Sequence, residues 1–226
     1  MAFSVENFHL AARDYRSHWR LADEQLYELC AQFPDHTRSD AVLAKLMIVG
    51  RTYATGLERA IGGVGALARI TRHVCRHADQ LDEIISSLDG VTEPLQRDSL
   101  NCFLRAESDL VRLLRGASSR HRGLHSFATK YLHFHRPIVP LYDSLAEDGL
   151  RRLYRGQRIE APIDDDPDFD PIYIHFLRRW WRAYTEAVAL VGPEAVSVKV
   201  LDYYLLVVAG ATAPAPQEPS PGVTEA

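Results

Sequence analysis

The sequence predicts an all-α protein, and three observations carry that expectation. Apolar residues recur with helical period along nearly the whole chain, alternating runs of the strand type are scarce, and Pro and Gly interrupt the pattern at helix-length intervals. With 226 residues, 46% of them hydrophobic, there is material for one medium-sized core and little room for a second. Residues 1–209 are expected to form one helical domain. The tail 210–226, which alternates Ala and Pro before a polar end, has nothing to bury and is expected to be disordered.

Taken in order, helices are expected at Ser4 to Gln32, Ser39 to Leu57, Gly63 to His77, Ala78 to Leu88 and Gln96 to Leu114. Four more follow at Ser126 to His135, Ser144 to Tyr154, Pro171 to Leu190 and Pro193 to Val208, with the breaks supplied by Pro and Gly. The segment 155–170 contains Gly156, Pro162 and Pro167 beside an acidic cluster, and it is expected to form an exposed loop.

The N-terminus lacks a basic segment followed by an apolar one, and no window approaches eighteen uninterrupted apolar residues, so neither secretion nor membrane spanning is expected. Cys30, Cys75 and Cys102 are odd in number and widely spaced, unlike a disulfide framework, which makes the cytoplasm the expected compartment. The net charge of −4 hides a segregation. No acid occurs from Leu110 to Tyr142, where Arg112, Arg115, Arg120, Arg122, Lys130 and Arg136 gather, whereas Glu160 to Asp170 holds six acids and no base. The basic stretch is therefore expected to offer one surface to an anion.

Within that stretch, Gly123 supplies backbone freedom and Ser126 a candidate N-cap for the helix that follows. On a helical wheel Leu124, Phe127, Ala128, Tyr131, Leu132 and Phe134 collect on one side. Ser126, Thr129, Lys130, His133 and Arg136 collect on the other, with Lys130 and His133 one turn apart on a face expected to line a groove. His135 falls with the apolar residues and reads as a core histidine. The connector Pro137 to Asp143 is stiff because two prolines forbid helix, and it delivers Asp143 to a fixed place. Ser144 to Glu147 has a capping-box pattern, so Asp143 lies at a helix entrance, where capping alone would explain it.

Thr129-Lys130, the short helix after it and Arg136-Pro-Ile-Val-Pro-Leu-Tyr-Asp143 resemble the lysine-bearing branch of the helix-hairpin-helix DNA glycosylases. Two features depart from the family pattern: of the hairpin glycines only Gly123 is present, and the Lys-to-Asp interval is short. Gly50 to Arg59 and Val198 to Tyr204 are similar to a group of bacterial proteins related to that fold. The resemblance implies a helix-hairpin-helix glycosylase-like fold and a DNA partner, with no cofactor and no metal. It implies Lys130 as the amine nucleophile and Asp143 as the assisting carboxylate in the removal of damaged or modified bases. An unprotonated Lys130 calls for burial or nearby cations, with His133 and Arg136 as the helpers, and base extrusion calls for an aromatic wedge, with Tyr142 and Tyr131 as candidates. Phosphate contacts are expected from Arg120, Arg122 and the hairpin amides. The alternative is a non-catalytic nucleic-acid or ligand-binding module on the same scaffold, with bacterial defence as a setting.

Other clusters read more simply. Arg51, Arg59, Lys199 and Asp202 lie in apolar helices and are expected to form internal salt bridges. Only His73 and His77 of His73-Val-Cys75-Arg-His77 share a helix face, which is too few for a metal site. Asp164 to Asp170 lacks the Gly and terminal Glu of a calcium loop, and Gly62 to Gly65 follows no strand, so a helix break suffices there. Trp180-Trp181, flanked by Arg178, Arg179 and Arg182, reads as core plus boundary.

Overall fold

The computed structural model describes residues 2–118, 123–164 and 166–211, and among these there is helix and no strand. Eleven α-helices follow one another: α1 (Val5–Asp14), α2 (Arg20–Gln32), α3 (Ser39–Met47), α4 (Leu57–Ile61), α5 (Ala66–Arg76), α6 (Ala78–Ser86), α7 (Ser99–Arg115), α8 (His125–His135), α9 (Ser144–Leu153), α10 (Pro171–Val191) and α11 (Val198–Ala209). Two π-helical turns interrupt what the periodicity reads as single long helices: Tyr15–Trp19 joins α1 to α2, and Ile48–Thr52 prolongs α3. The extra residue in such a turn re-aims the side chains beyond it, and such turns recur at functional sites.

Side chains fix several helix starts. Ser4 accepts from the Asn7 amide, Asp170 from Ile172 with Pro171 in the first turn, and Ser197 from Val200. Of the expected caps, one is corrected and one is found. α8 begins at His125, so Ser126 lies inside it, whereas Asp143, at the helix entrance, caps α9 through the Leu145 amide. Glu147 makes no capping box because its Oε1 accepts from Arg151 and Arg179 instead.

One apolar cluster runs from α1 to α11, with Trp180, Tyr131, Tyr173 and Phe103 among its largest fully buried side chains. α8 passes through its middle and is buried on every side from Phe127 to His135. α9 packs closely on α11: a Cβ at Gly149 would collide with the Leu205 carbonyl group, so only glycine permits this approach.

The loop 155–170 does not stand away from the surface as expected. Ile159, Ala161 and Ile163 pack partly against the core, Phe169 is buried, and Asp166, Asp168 and Asp170 approach Arg105, Arg112 and Arg115 of α7 at 3.8 to 4.0 Å. The basic and acidic segments therefore face one another, with Arg112 and Arg115 partly exposed beside those carboxylates. No helix among the described residues is long and apolar enough to cross a membrane.

Candidate functional site

Lys130 and Asp143 are brought together by the connector between them. Two neighbours of Lys130 on α8 hold that connector: Thr129 Oγ1 accepts from the Tyr142 amide at 3.0 Å, and His133 Nδ1 donates to the Val139 carbonyl at 2.8 Å. Tyr173 adds a hydrogen bond to the Pro140 carbonyl, and Val139 and Leu141 are buried. With the connector pinned along its length, Lys130 Nζ reaches Asp143 Oδ2 at 2.6 Å and the Tyr53 carbonyl at 3.4 Å. Asp143 Oδ1 accepts from the Leu145 amide at 2.9 Å. Capping and ion pairing are thus not alternatives for Asp143, since each oxygen performs one of them.

The pair opens on a cleft of about 320 Å³ lined by residues from both ends of the chain. Tyr15 and Trp19 come from the first π-turn, Thr52 from the second with Tyr53 and Ala54 just after it, and Asp23, Lys199, Asp202 and Tyr203 from α2 and α11. Trp19 remains 53% exposed at this lining. Ala54 has φ +49°, the one non-glycine residue with positive φ among the described residues, a conformation costing about 1–2 kcal/mol that the surrounding structure must hold. It also borders a wider depression of about 800 Å³ with Arg59, Gly123, Ser126, Tyr142 and Asp143 on its walls.

Charges in the cleft are interlinked. Lys199 Nζ lies 3.4 Å from Asp23 and 3.8 Å from Asp202, above the rings of Tyr53 and Phe134. Asp23 also accepts from the hydroxyls of Tyr15 and Tyr53. Burial pushes the Asp202 carboxyl up to about 6, against the pull of the Lys199 and Lys130 ammoniums, with Asp143 and Asp23 adding to the rise. The expected internal salt bridges of Lys199 and Asp202 exist, but they line this cleft. Arg51 pairs with Glu58 at 2.6 Å on the surface.

The other expected site residues divide. Gly123, with φ +85°, and Tyr142 border the wider depression. Arg120 and Arg122 lie outside the described residues. His133 is corrected from the groove to the core: it is 0% exposed, its Nε2 accepts from the Tyr27 hydroxyl at 2.6 Å, and burial lowers it to about 3, so it stays neutral. Arg136 turns away to pair with Asp89 at 2.6 Å. Neither supplies a cation beside Lys130. Tyr131 is likewise buried, with its hydroxyl against His36 Nε2 at 2.8 Å, which leaves it no place as a wedge. His135 is a core histidine as expected, its ring tilted against those of His36 and Tyr131.

Asp23 and Trp19 were not legible as site residues, because no motif surrounds them, and Tyr53, though within the segment Gly50 to Arg59, is joined to Lys130 only by tertiary packing. Lys199 and Asp202 did leave a signal, as charges in an otherwise apolar helix. Among the described residues no group of three His, Cys, Asp or Glu is placed to hold a metal ion.

Fold and site together define an all-helical protein with a buried lysine–carboxylate pair at the wall of a charged, aromatic-lined cleft. The HI_0787_N family model, described as an N-terminal domain, matches residues 6–139, more than half of the chain, and the chain belongs to that family. No curated protein and no solved structure matches. Lys130, Asp23 and Tyr53 lie inside the matched segment, while Asp143, Lys199 and Asp202 lie beyond it.

Proposed function

We propose that this protein is a DNA glycosylase-like enzyme that removes damaged or modified bases, on a helix-hairpin-helix glycosylase-like scaffold. The observation that supports it most is the 2.6 Å contact between Lys130 Nζ and Asp143 Oδ2 at the wall of a cleft. An amine in an ion pair cannot attack, so the proton of Lys130 must first leave. Asp143 is the near acceptor, and Asp202, whose buried carboxyl binds a proton more readily than usual, is a second place to hold it.

The neutral amine then attacks C1′ of the nucleotide, and the C1′–N bond breaks with its electron pair leaving on the base, which takes the proton held on Asp143. The ammonium formed on Lys130 gives a proton to the regenerated carboxylate, and O4′ takes that proton as the C1′–O4′ bond breaks, so that ring opening leaves an iminium at C1′. A base must leave the stack to reach Lys130, and Trp19, exposed at the cleft, is better placed than Tyr131 to fill the gap. Gly123 and Tyr142 belong to the wider depression on this reading, with Arg120 and Arg122 on the DNA backbone.

Borohydride trapping tests the proposal. Duplexes with an abasic site or with modified bases should yield a covalent adduct, Lys130→Ala should abolish it, and Asp143→Asn should slow it by roughly 100-fold. A complete failure to trap, with salt-dependent DNA binding intact, would instead support a non-catalytic binding module.

A further inference from the structure

α9 has a second charged end. Arg151 and Arg152 in its last turn, Arg155 in the turn that follows and Arg179 of α10 line an open depression of about 530 Å³, where Asp148 is the one carboxylate on the wall among the described residues. Glu147 lies buried beside it, and its Oε1 accepts from Arg151 at 2.9 Å and Arg179 at 2.8 Å. Even with Glu147 counted, positive charge is in excess here, in a chain whose net charge is −4. Cations favour a helix C-terminus, which accounts for Arg151 and Arg152. It does not account for Arg155, which has no ion-pair partner among the described residues, or for Arg179, which arrives from another helix.

The guanidiniums are also pre-positioned. Glu147 holds one edge of Arg151 and of Arg179, the Val208 carbonyl holds Arg152 at 3.2 Å, and the planar forks of Arg151 and Arg179 carry five N–H donors each, more than these contacts use. Backbone at Gly156, with φ +73° and no heavy atom within 4 Å of where a Cβ would stand, leaves the mouth unobstructed. A fixed array of forks facing one depression matches the tetrahedral oxygens of phosphate better than it matches a single carboxylate.

We infer that this arginine depression binds a phosphate group, carried either by a nucleic-acid backbone or by a free phosphorylated compound. The inference does not depend on chemistry at Lys130. Calorimetric titration with inorganic pyrophosphate and fluorescence titration with an oligonucleotide at rising salt distinguish the two sources. Arg155→Ala and the double variant Arg151→Ala/Arg155→Ala probe the site, and Arg158→Ala, which removes an equal charge outside it, is the control. These side chains are exposed, and a thermal melt verifies that each variant is folded.

Affinity should fall roughly tenfold in Arg155→Ala and further in the double variant, with the Arg158→Ala protein close to wild type. Loss confined to pyrophosphate identifies a free phosphate compound. Loss confined to the oligonucleotide, with a salt slope shallower by about one unit per contact removed, identifies the backbone. The inference is overturned if the wild-type protein binds neither probe, if the double variant binds both as the wild type does, or if Arg158→Ala weakens binding equally.

Discussion

Lys45 and Lys130 are both buried lysines on helices of the same core, and they differ in what receives the ammonium. Lys45 is 0% exposed, and its Nζ donates to the Phe33 carbonyl at 2.8 Å, the Asp35 carbonyl at 3.3 Å and His36 Nε2 at 3.3 Å. It closes the turn between α2 and α3. Lys130 is 6% exposed, meets one carboxylate and borders a cleft. Burial alone therefore does not mark a reactive amine. A lysine held by two main-chain carbonyls and a histidine ties a turn together, whereas one held chiefly by a carboxylate beside open space, with a long 3.4 Å contact to the Tyr53 carbonyl, has room to exchange that partner for a ligand.

The largest effect expected from this contrast is on stability. Lys45→Ala leaves the Phe33 and Asp35 carbonyls short of a donor and a void in the core and should cost about 3–5 kcal/mol, whereas Lys130→Ala should cost about 1–2 kcal/mol and leave the fold intact. Chemical denaturation of the two variants compares them directly, and equal losses would erase the distinction.

A smaller effect, of about 2 kcal/mol, is expected between pH 6.5 and 5 from His133. Its folded value, about 3, lies below its ordinary 6.5, so the unfolded chain takes the proton first and stability falls as the pH drops through that window. His36 and His135, which burial also lowers, act in the same direction. Denaturation curves at pH 7 and 5 measure the sum.

Asp202 has the opposite sign. Its folded value, about 6, lies above the ordinary 3.8, so it favours the folded state below pH 3.8 and that contribution is lost as the pH rises to 6. Asp202→Asn should therefore gain on the wild type by on the order of 1–2 kcal/mol between pH 4 and 7. A constant difference across that range would place the Asp202 proton elsewhere. Smallest of all, Arg112→Ala, at an exposed pair with Asp109, should change stability by less than about 0.5 kcal/mol.

The helices were largely legible because their apolar period is strong and Pro or Gly sits near most ends. Every expected helix has a counterpart, and the π-turns were missed because they alter hydrogen bonding without interrupting the pattern. The nearness of Lys130 and Asp143 was legible too, since a short stiff connector allows the two few separations. What failed was the wheel drawn for α8. It assumes a helix with one wet side, and α8 has none, so His133 turned out to hold the connector rather than face a groove. That carboxylates of the acidic segment would stand beside Arg112 and Arg115 was not legible, because Asp168 and Asp170 arrive from more than fifty residues away in sequence.

Asp143 also has a mechanical consequence. Its carboxylate is clamped between an amide of α9 and the amine of Lys130, so it ties the start of α9 to α8. The opposite tip of that rod, about 15 Å away at 1.5 Å per residue, is the arginine depression. Glycine at position 149 sets how closely that rod approaches α11, and Ala146, Leu150 and Leu153 are buried along its length. The two charged hollows therefore stand at opposite ends of one helix whose seat is fixed at its middle.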